Sequence, residues 1–192
     1  MPLLPIRKYG DPVLRQVAEP VSRVTDELRQ LAADMGETMY EANGIGLAAN
    51  QVGDLRRILV IDVADVGERA GGEARQRGPA RQLEVFINPV VLWESPEDDD
   101  YNEGCLSMPG IEGDVYRPIA IRLRWMDLEG AEHEEEADGI RARVLLHEID
   151  HLDGKLFTDR LGLLARQRVA GKLRRLREQT EEEMGLAPGV GR

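Results

Sequence analysis

His147-Glu148-Ile149-Asp150-His151 is an H-E-x-x-H pentapeptide, and it holds two of the three histidines in a chain of 192 residues. On an α-helix, residues four apart share one face, about 40° from eclipsed. Two imidazoles so placed can grip one metal ion, and Glu148 between them can move protons there. The same residues also fit an ordinary helix with two solvated histidines, so the flanking sequence has to decide. Asp138-Gly139 reads as the start of the helix and Gly154 as its stop. Ile140, Val144, Leu145, Leu146, Ile149 and Leu152 cover most of its circumference, which predicts a buried helix. Buried polar side chains need partners, and that favours the metal reading.

A catalytic site of this kind needs a third protein ligand and an open position. Cys105, the one cysteine of the chain, is the candidate. It sits in Glu103-Gly104-Cys105-Leu106-Ser107, where Gly104 lets the backbone come close to another group. A buried inert thiol is the alternative. One cysteine allows no intramolecular disulfide, which fits a reducing cytoplasm. A third element is Gly44-Ile45-Gly46-Leu47-Ala48-Ala49-Asn50-Gln51. Two glycines followed by small residues suit a strand edge that something approaches closely, or a tight turn. Gln51 can place a neutral amide donor beside an oxyanion, or lie at the surface.

Outward from these segments, Thr25 is a helix N-cap followed by Asp26 and Glu27. Leu28, Leu31, Ala32, Met35 and Met39 mark one apolar stripe that ends near Asn43-Gly44. Ile58 to Val63 reads as a buried strand. Leu83 to Ile87 and Val90 to Trp93 read as strands separated by Asn88-Pro89, and Ser95 to Asp100 as an acidic loop. Ile119, Ile121, Leu123 and Trp125 alternate with polar or smaller residues, as in a half-buried strand. Asp127-Leu128-Glu129-Gly130 then turns into a second, acidic strand carrying a surface histidine, His133. Residues 66–82 read as an exposed insertion loop, and about 160–178 as a basic C-terminal helix with Leu163, Leu164, Val169 and Leu173 on its apolar side. No repeat or second domain is evident, so residues 1–192 read as one domain.

Composition bounds the function. Hydrophobic residues are 42% and charged residues 32%, with a formal net charge of -11. So acidic a chain is a poor general nucleic-acid binder, and DNA is excluded as a partner. No apolar run approaches the roughly 18 residues that span a membrane. Met1 to Lys8 has no signal-peptide core, so a cytoplasmic location is expected.

Together, Gly44 to Gln51, Glu103 to Ser107 and His147 to His151 resemble, in order and spacing, the three motifs of the peptide deformylases. Ile6 to Leu14 and His151 to Phe157 are similar to the family as well, and the resemblance spans roughly residues 3 to 165. It implies an α+β fold, with antiparallel sheets packed around a central buried helix and a C-terminal helix. It implies that Cys105, His147 and His151 bind the metal, with ferrous iron native and zinc, nickel or cobalt as substitutes. Glu148 would be general base and then general acid. Gln51 and the Leu106 N–H would hold the oxyanion. Ile45, Gly46, Gly104 and Val144 would contact an N-formylmethionyl peptide bound like an added strand. Glu103 and Arg117 resemble a structural ion pair of the family, with Asp150 supporting the ligands. Leu146 departs from the glutamine of many members, and Arg143 and Glu112 fall where the family lines its methionine pocket. Arg160, Arg166, Arg168, Lys172, Arg174, Arg175 and Arg177 make the last helix basic enough to dock on ribosomal RNA, or simply to be solvated.

H-E-x-x-H also serves metal-dependent endopeptidases, whose usual third ligand is His or Glu rather than Cys. A closed structural metal site needs four protein ligands, and no second cysteine is present.

Overall fold

The computed structural model describes residues 3–64 and 81–187. Helix α1, Asp26–Glu41, begins where the Thr25 hydroxyl accepts the Leu28 N–H. Its first turn carries Asp26 and Glu27, and its buried stripe includes Leu28, Leu31, Ala32, Met35 and Met39, as the sequence predicts. Strand β1, Gly46–Ala48, runs straight into a 3-10 turn, Ala49–Val52. Strand β2, Ile58–Ile61, is buried at every position.

Strand β3, Glu84–Glu94, is continuous where the sequence suggests two pieces. The chain absorbs Asn88-Pro89 as an irregularity, with a register shift between Ile87 and Val90. Pro89 has no N–H for the ladder, and a bulge is where a strand tolerates that. Asn88 takes φ 52° there, and its amide bonds both the N–H (2.8 Å) and the carbonyl (2.7 Å) of Val21.

Strands β4, Asp98–Cys105, and β5, Met108–Pro118, form a separate two-stranded hairpin. The expected acidic loop over Ser95 to Asp100 is therefore corrected in its second half. Asp98, Asp99 and Asp100 pair with Pro118, Arg117 and Tyr116. Their side chains are exposed, so nothing in their own pattern announces a strand; the partner does. Strand β6, Ala120–Met126, and β7, Glu132–Asp138, make the hairpin expected around Asp127–Gly130. Ile121 and Leu123 are fully buried and Ile119 lies outside the strand, partly exposed.

Helix α2, Gly139–Leu152, carries the pentapeptide, and α3 spans Leu163–Glu183. All pairs in the five-stranded sheet, order β1-β2-β3-β6-β7, are antiparallel. One face packs Leu59, Ile61, Phe86, Ile121 and Leu123 against Ala142, Leu145, Ile149 and Leu152 of α2. The other packs Ile58, Val60 and Ile87 against α1. The far side of α2 meets the β4–β5 hairpin, whose own core joins Tyr9 and Leu14 to Ile111, Val115, Val169 and Leu173. This is the α+β arrangement around a buried central helix.

Two expectations shift. The last helix runs Leu163–Glu183 rather than about 160–178, and Arg160, outside it, pairs with Asp150 (2.6 Å). Its buried stripe is Ala165, Val169, Leu173 and Leu176. That spacing leaves Leu163 and Leu164 off the face, 73% and 69% exposed. Of the expected insertion loop, residues 65–80 lie outside the described residues. Arg81 is exposed and reaches Glu37 at 2.6 Å.

The N-terminal segment is tied down by Arg15, which donates to Asp159 Oδ2 (2.5 Å) and Oδ1 (3.0 Å), while the Leu156 N–H donates to Oδ2 (2.9 Å). Burial raises the Asp159 carboxyl, but the Arg15 and Leu156 hydrogen bonds outweigh it and hold its pKa below the usual range. A carboxyl depressed by folding stabilises the fold above its unfolded pKa of about 3.9, and that contribution is lost as pH falls through the folded value. Asp159→Asn is expected to lose on the order of 1 kcal/mol at pH 7, the pair being one-third exposed. The gap between the urea midpoints of the two proteins should begin to narrow below about pH 4 and close only once pH has fallen below the depressed folded pKa. A gap that stays constant with pH would refute this linkage.

Candidate metal centre and cleft

Three segments distant in sequence meet over the cleft side of α2. The sulfur of Cys105 and one ring nitrogen each of His147 and His151 all lie within 4.8 Å of one another. Cys105 Sγ is 3.2 Å from His151 Nε2. His147 Nδ1 donates to Glu103 Oε2 at 2.9 Å, which fixes the ring and leaves Nε2 for a metal. His133 is elsewhere, exposed and paired with Asp127 at 2.5 Å.

The charges of this set ask for a cation. Burial pushes the Cys105 thiol up, but the His151 charge and the hydrogen bonds of both imidazoles outweigh it and hold the thiol well below its ordinary pKa. Burial pulls His147 down, yet the Cys105 and Glu103 hydrogen bonds carry it up to about 10. A metal-bound imidazole is neutral, so a cation on the open nitrogen replaces that proton. A thiolate with two imidazoles suits iron, zinc, nickel or cobalt.

Glu148 lies beside the set, buried, and among the described residues its Oε2 has no hydrogen-bond partner. Burial raises its carboxyl above the ordinary value against the pull of His147 and His151. Its close neighbour is strand β1. A Cβ on Gly46 would stand 2.5 Å from Glu148 Oε1, and one on Gly44 would stand 2.7 Å from Leu106 Cδ1. The two glycines in Gly44-Ile45-Gly46 are thus what lets the strand edge lie against the site.

Gln51 is buried rather than at the surface. Its amide oxygen accepts the Ala48 N–H at 2.8 Å, which turns its NH₂ toward Cys105 Sγ (3.4 Å) and Ser107 Oγ (3.3 Å). Lys8 bonds the Leu106 carbonyl at 2.8 Å and steadies that turn from outside. A cleft of about 660 Å³ runs over the set, between Ala42 to Gly46 on one side and the β4–β5 hairpin on the other. Ile45, Gly46, Gly104, Leu106, Val144, Gln51, Cys105, His147 and Glu148 all line it. His151 completes the metal set, buried behind it.

Behind the ligands lies an ion network. Arg117, 1% exposed, grips Glu103 through Nε (2.6 Å) and Nη2 (2.9 Å) and donates to Asp150 at 2.8 Å. Among the described residues the Asp150 carboxylate bonds Arg117 and Arg160 rather than a metal ligand. It acts through Arg117, and Arg160 closes its other side at 2.6 Å. The family resemblance puts Arg143 where the methionine pocket is lined, and Arg143 does line the cleft. The structure adds what that reading misses: the guanidinium bonds Glu103 (2.8 Å), the Val115 carbonyl (2.9 Å) and the Asp99 carbonyl (2.8 Å). The available signal was an arginine inside an otherwise apolar helix turn, which has to find partners. Ser107 and Lys8 carried no such signal.

A thiolate and two imidazoles with one open side, and a buried carboxylate beside them, define a hydrolytic metal centre. Comparison with known proteins narrows this class. The chain belongs to the polypeptide deformylase family, whose model matches residues 3–167. It is 50% identical over 172 residues to a peptide deformylase of Rhizorhabdus wittichii, covering 90% of this chain and 94% of that protein. It is 48% identical over 189 residues to that of Alkalilimnicola ehrlichii, covering 98% and 99%. Among solved structures, the peptide deformylase of Plasmodium falciparum superposes with a TM-score of 0.81 at 35% identity, covering 92% of this chain and 97% of that one. Arabidopsis thaliana peptide deformylase 1B, bound to an inhibitor, gives 0.84 at 31%, covering 96% of each.

Partners of metal-bound histidines typically govern metal affinity by about 10–100-fold. Glu103→Gln keeps shape but removes the charge behind His147, and should weaken zinc binding by about that factor. Competition with a chromophoric chelator measures it, and unaltered affinity in a folded variant would remove Glu103 from the metal site.

Proposed function

We propose that the chain hydrolyses the N-formyl amide at the amino terminus of nascent polypeptides, releasing formate and a free amine. The observation that carries this is the meeting of an unpartnered Glu148 carboxylate and a fixed Gln51 amide on the open side of the Cys105-His147-His151 set. The names of the relatives support the substrate.

Cys105, His147 and His151 would hold the metal, which when bound supplies a Lewis acid that activates water and polarises the formyl oxygen. The peptide lies in the cleft as an added strand, against the backbone of Ile45 and Gly46 on one side and Gly104 on the other. Val144 packs beneath its first side chain. Glu148 takes the proton of the attacking water and delivers it to the leaving nitrogen as the C–N bond breaks. Its raised pKa suits both halves of that shuttle. Gln51 Nε2 and the Leu106 N–H donate to the oxyanion. We assign ferrous iron as the resident metal and the cytoplasm as the location, in keeping with the family resemblance and a lone thiol.

The test is anaerobic purification with metal analysis and a formyl-methionyl peptide assay. Glu148→Ala should retain metal and lose turnover. Gln51→Ala should lose about 10²–10³-fold in turnover with metal still bound. Turnover near wild type in Gln51→Ala would remove Gln51 from the mechanism, and a zinc-filled protein indifferent to air would overturn iron.

We also assign ribosome docking to the solvent face of α3. Arg166, Arg168, Lys172, Arg174 and Arg175 are exposed there, while Arg177 is held by the Tyr9 hydroxyl (2.6 Å). Arg168→Glu with Arg175→Glu avoids the buried stripe. It should weaken cosedimentation with ribosomes at low salt by about tenfold or more. Undiminished binding would refute docking.

A further inference from the structure

Two separate pieces of chain would supply the oxyanion donors: the 3-10 turn that holds Gln51, and the turn Leu106-Ser107 between β4 and β5. One short stretch, Arg7-Lys8-Tyr9, fastens both. The Arg7 N–H donates to the Gln51 backbone carbonyl at 2.7 Å, and the Tyr9 N–H donates to the Ser107 carbonyl at 2.9 Å. Between them, the Lys8 ammonium donates to the Leu106 carbonyl at 2.8 Å. The stretch is itself anchored on either side. Upstream, the Leu4 N–H donates to Thr38 Oγ1 of α1 at 2.9 Å. Downstream, Asp11 caps the 3-10 turn Pro12–Arg15 by accepting the Val13 N–H at 2.9 Å.

Lys8 is the side-chain link in this bracket. It is half-buried, lines the cleft together with Gln51 and Leu106, and among the described residues makes no ion pair. A charged donor on a carbonyl makes a strong, directional hydrogen bond. The Leu106 carbonyl belongs to one of the two peptide planes that meet at the Leu106 Cα, and the other plane carries the Leu106 N–H. That second plane is already held by Cys105, which pairs with Met108 and turns its sulfur to the metal set. Holding the carbonyl removes the freedom left to the turn. The charge of Lys8 also adds a positive field at the wall where negative charge would develop.

We infer that Lys8 is a positioning residue for the oxyanion donors: it holds the Leu106 N–H at a set distance from the Gln51 amide, so that one oxyanion can meet both. This rests on the deformylase reading above. The Lys8 ammonium is engaged by a protein carbonyl, so it acts through Leu106 rather than on the peptide. Loss of that aim should therefore appear in turnover and not in substrate binding.

The experiment measures kcat and KM for a formyl-Met peptide in metal-loaded wild type, Lys8→Met, Lys8→Gln and Lys8→Arg. Lys8→Met should lose about 10-fold to 100-fold in kcat, with KM within about twofold and metal retained. Lys8→Gln, one atom shorter and uncharged, should show the same loss and serves if Lys8→Met fails to fold. Lys8→Arg keeps a charged donor and should restore most of the turnover. A second readout needs no turnover: the Leu106 amide resonance of the zinc-loaded protein, followed by NMR as formate is added. It should shift with formate in wild type and Lys8→Arg, and respond little in Lys8→Met. A Leu106 response that depends on Lys8, in a protein that deformylates nothing, would keep Lys8 as the positioner of an anion donor and sink the deformylase reading. Deformylation with kcat unchanged in Lys8→Met, or with a loss confined to KM, or with a loss that Lys8→Arg does not restore, would overturn the role of Lys8.

Discussion

The metal set depends on one buried ion pair, Glu103 with Arg117. A guanidinium at 1% exposure costs several kcal/mol to desolvate, and only near-complete hydrogen bonding offsets that. Here Arg117 spends its donors on Glu103 and Asp150, while Glu103 also accepts from His147 and Arg143. One carboxylate thus joins β4 to β5 and both to α2. The pair aims the His147 ring and sets the height of the hairpin that brings Cys105 over the helix. Removing either partner would strip the other of part of its buried pairing, an effect of up to about 3–5 kcal/mol, since Asp150 still faces Arg117 and Arg143 still faces Glu103.

Legibility in the sequence followed locality. Helix α1 announces itself by its cap and stripe, α2 by its nearly all-apolar circumference, and β6–β7 by alternation around a turn. The Cys105, His147 and His151 set was legible because metal ligands are few in kind and these are scarce in this chain. The β4–β5 hairpin was not. Asp98 to Asp100 carry no strand pattern, and β5 includes Pro109, Gly110 and Gly113. Its identity comes from pairing across the cleft wall and from the core beneath Ile111 and Val115. The same holds for Arg143, whose three partners come from segments 28 to 44 residues away. Leu163 and Leu164 fit a helical period but lie off the stripe that packing selects.

The site is also an agreement between small residues and a large carboxylate. Gly46 and Glu148 occupy adjoining volumes, so the strand edge cannot gain a methyl group without moving the Glu148 carboxylate. In the proposed mechanism, substrate backbone and proton shuttle would therefore be set by one clearance. The amide of Gln51 is fixed from the same stretch, through the Ala48 N–H. In that mechanism residues 44–51 would supply the docking edge, the clearance and the oxyanion donor together.

The two ends of the five-stranded sheet are built to opposite rules. Strand β7 carries Glu132, Glu134, Glu135 and Glu136, set beside Arg122 and Arg124 of β6. A row of carboxylates along an outer strand repels any copy that tries to extend the sheet. Strand β1, at the other end, offers glycine, leucine and alanine with no charge. The molecule is therefore sticky on one border and self-avoiding on the other. Its uncharged border meets the cleft at Gly46. Under the proposed function, such a molecule would take up extended chain ends without extending its own sheet into a second copy.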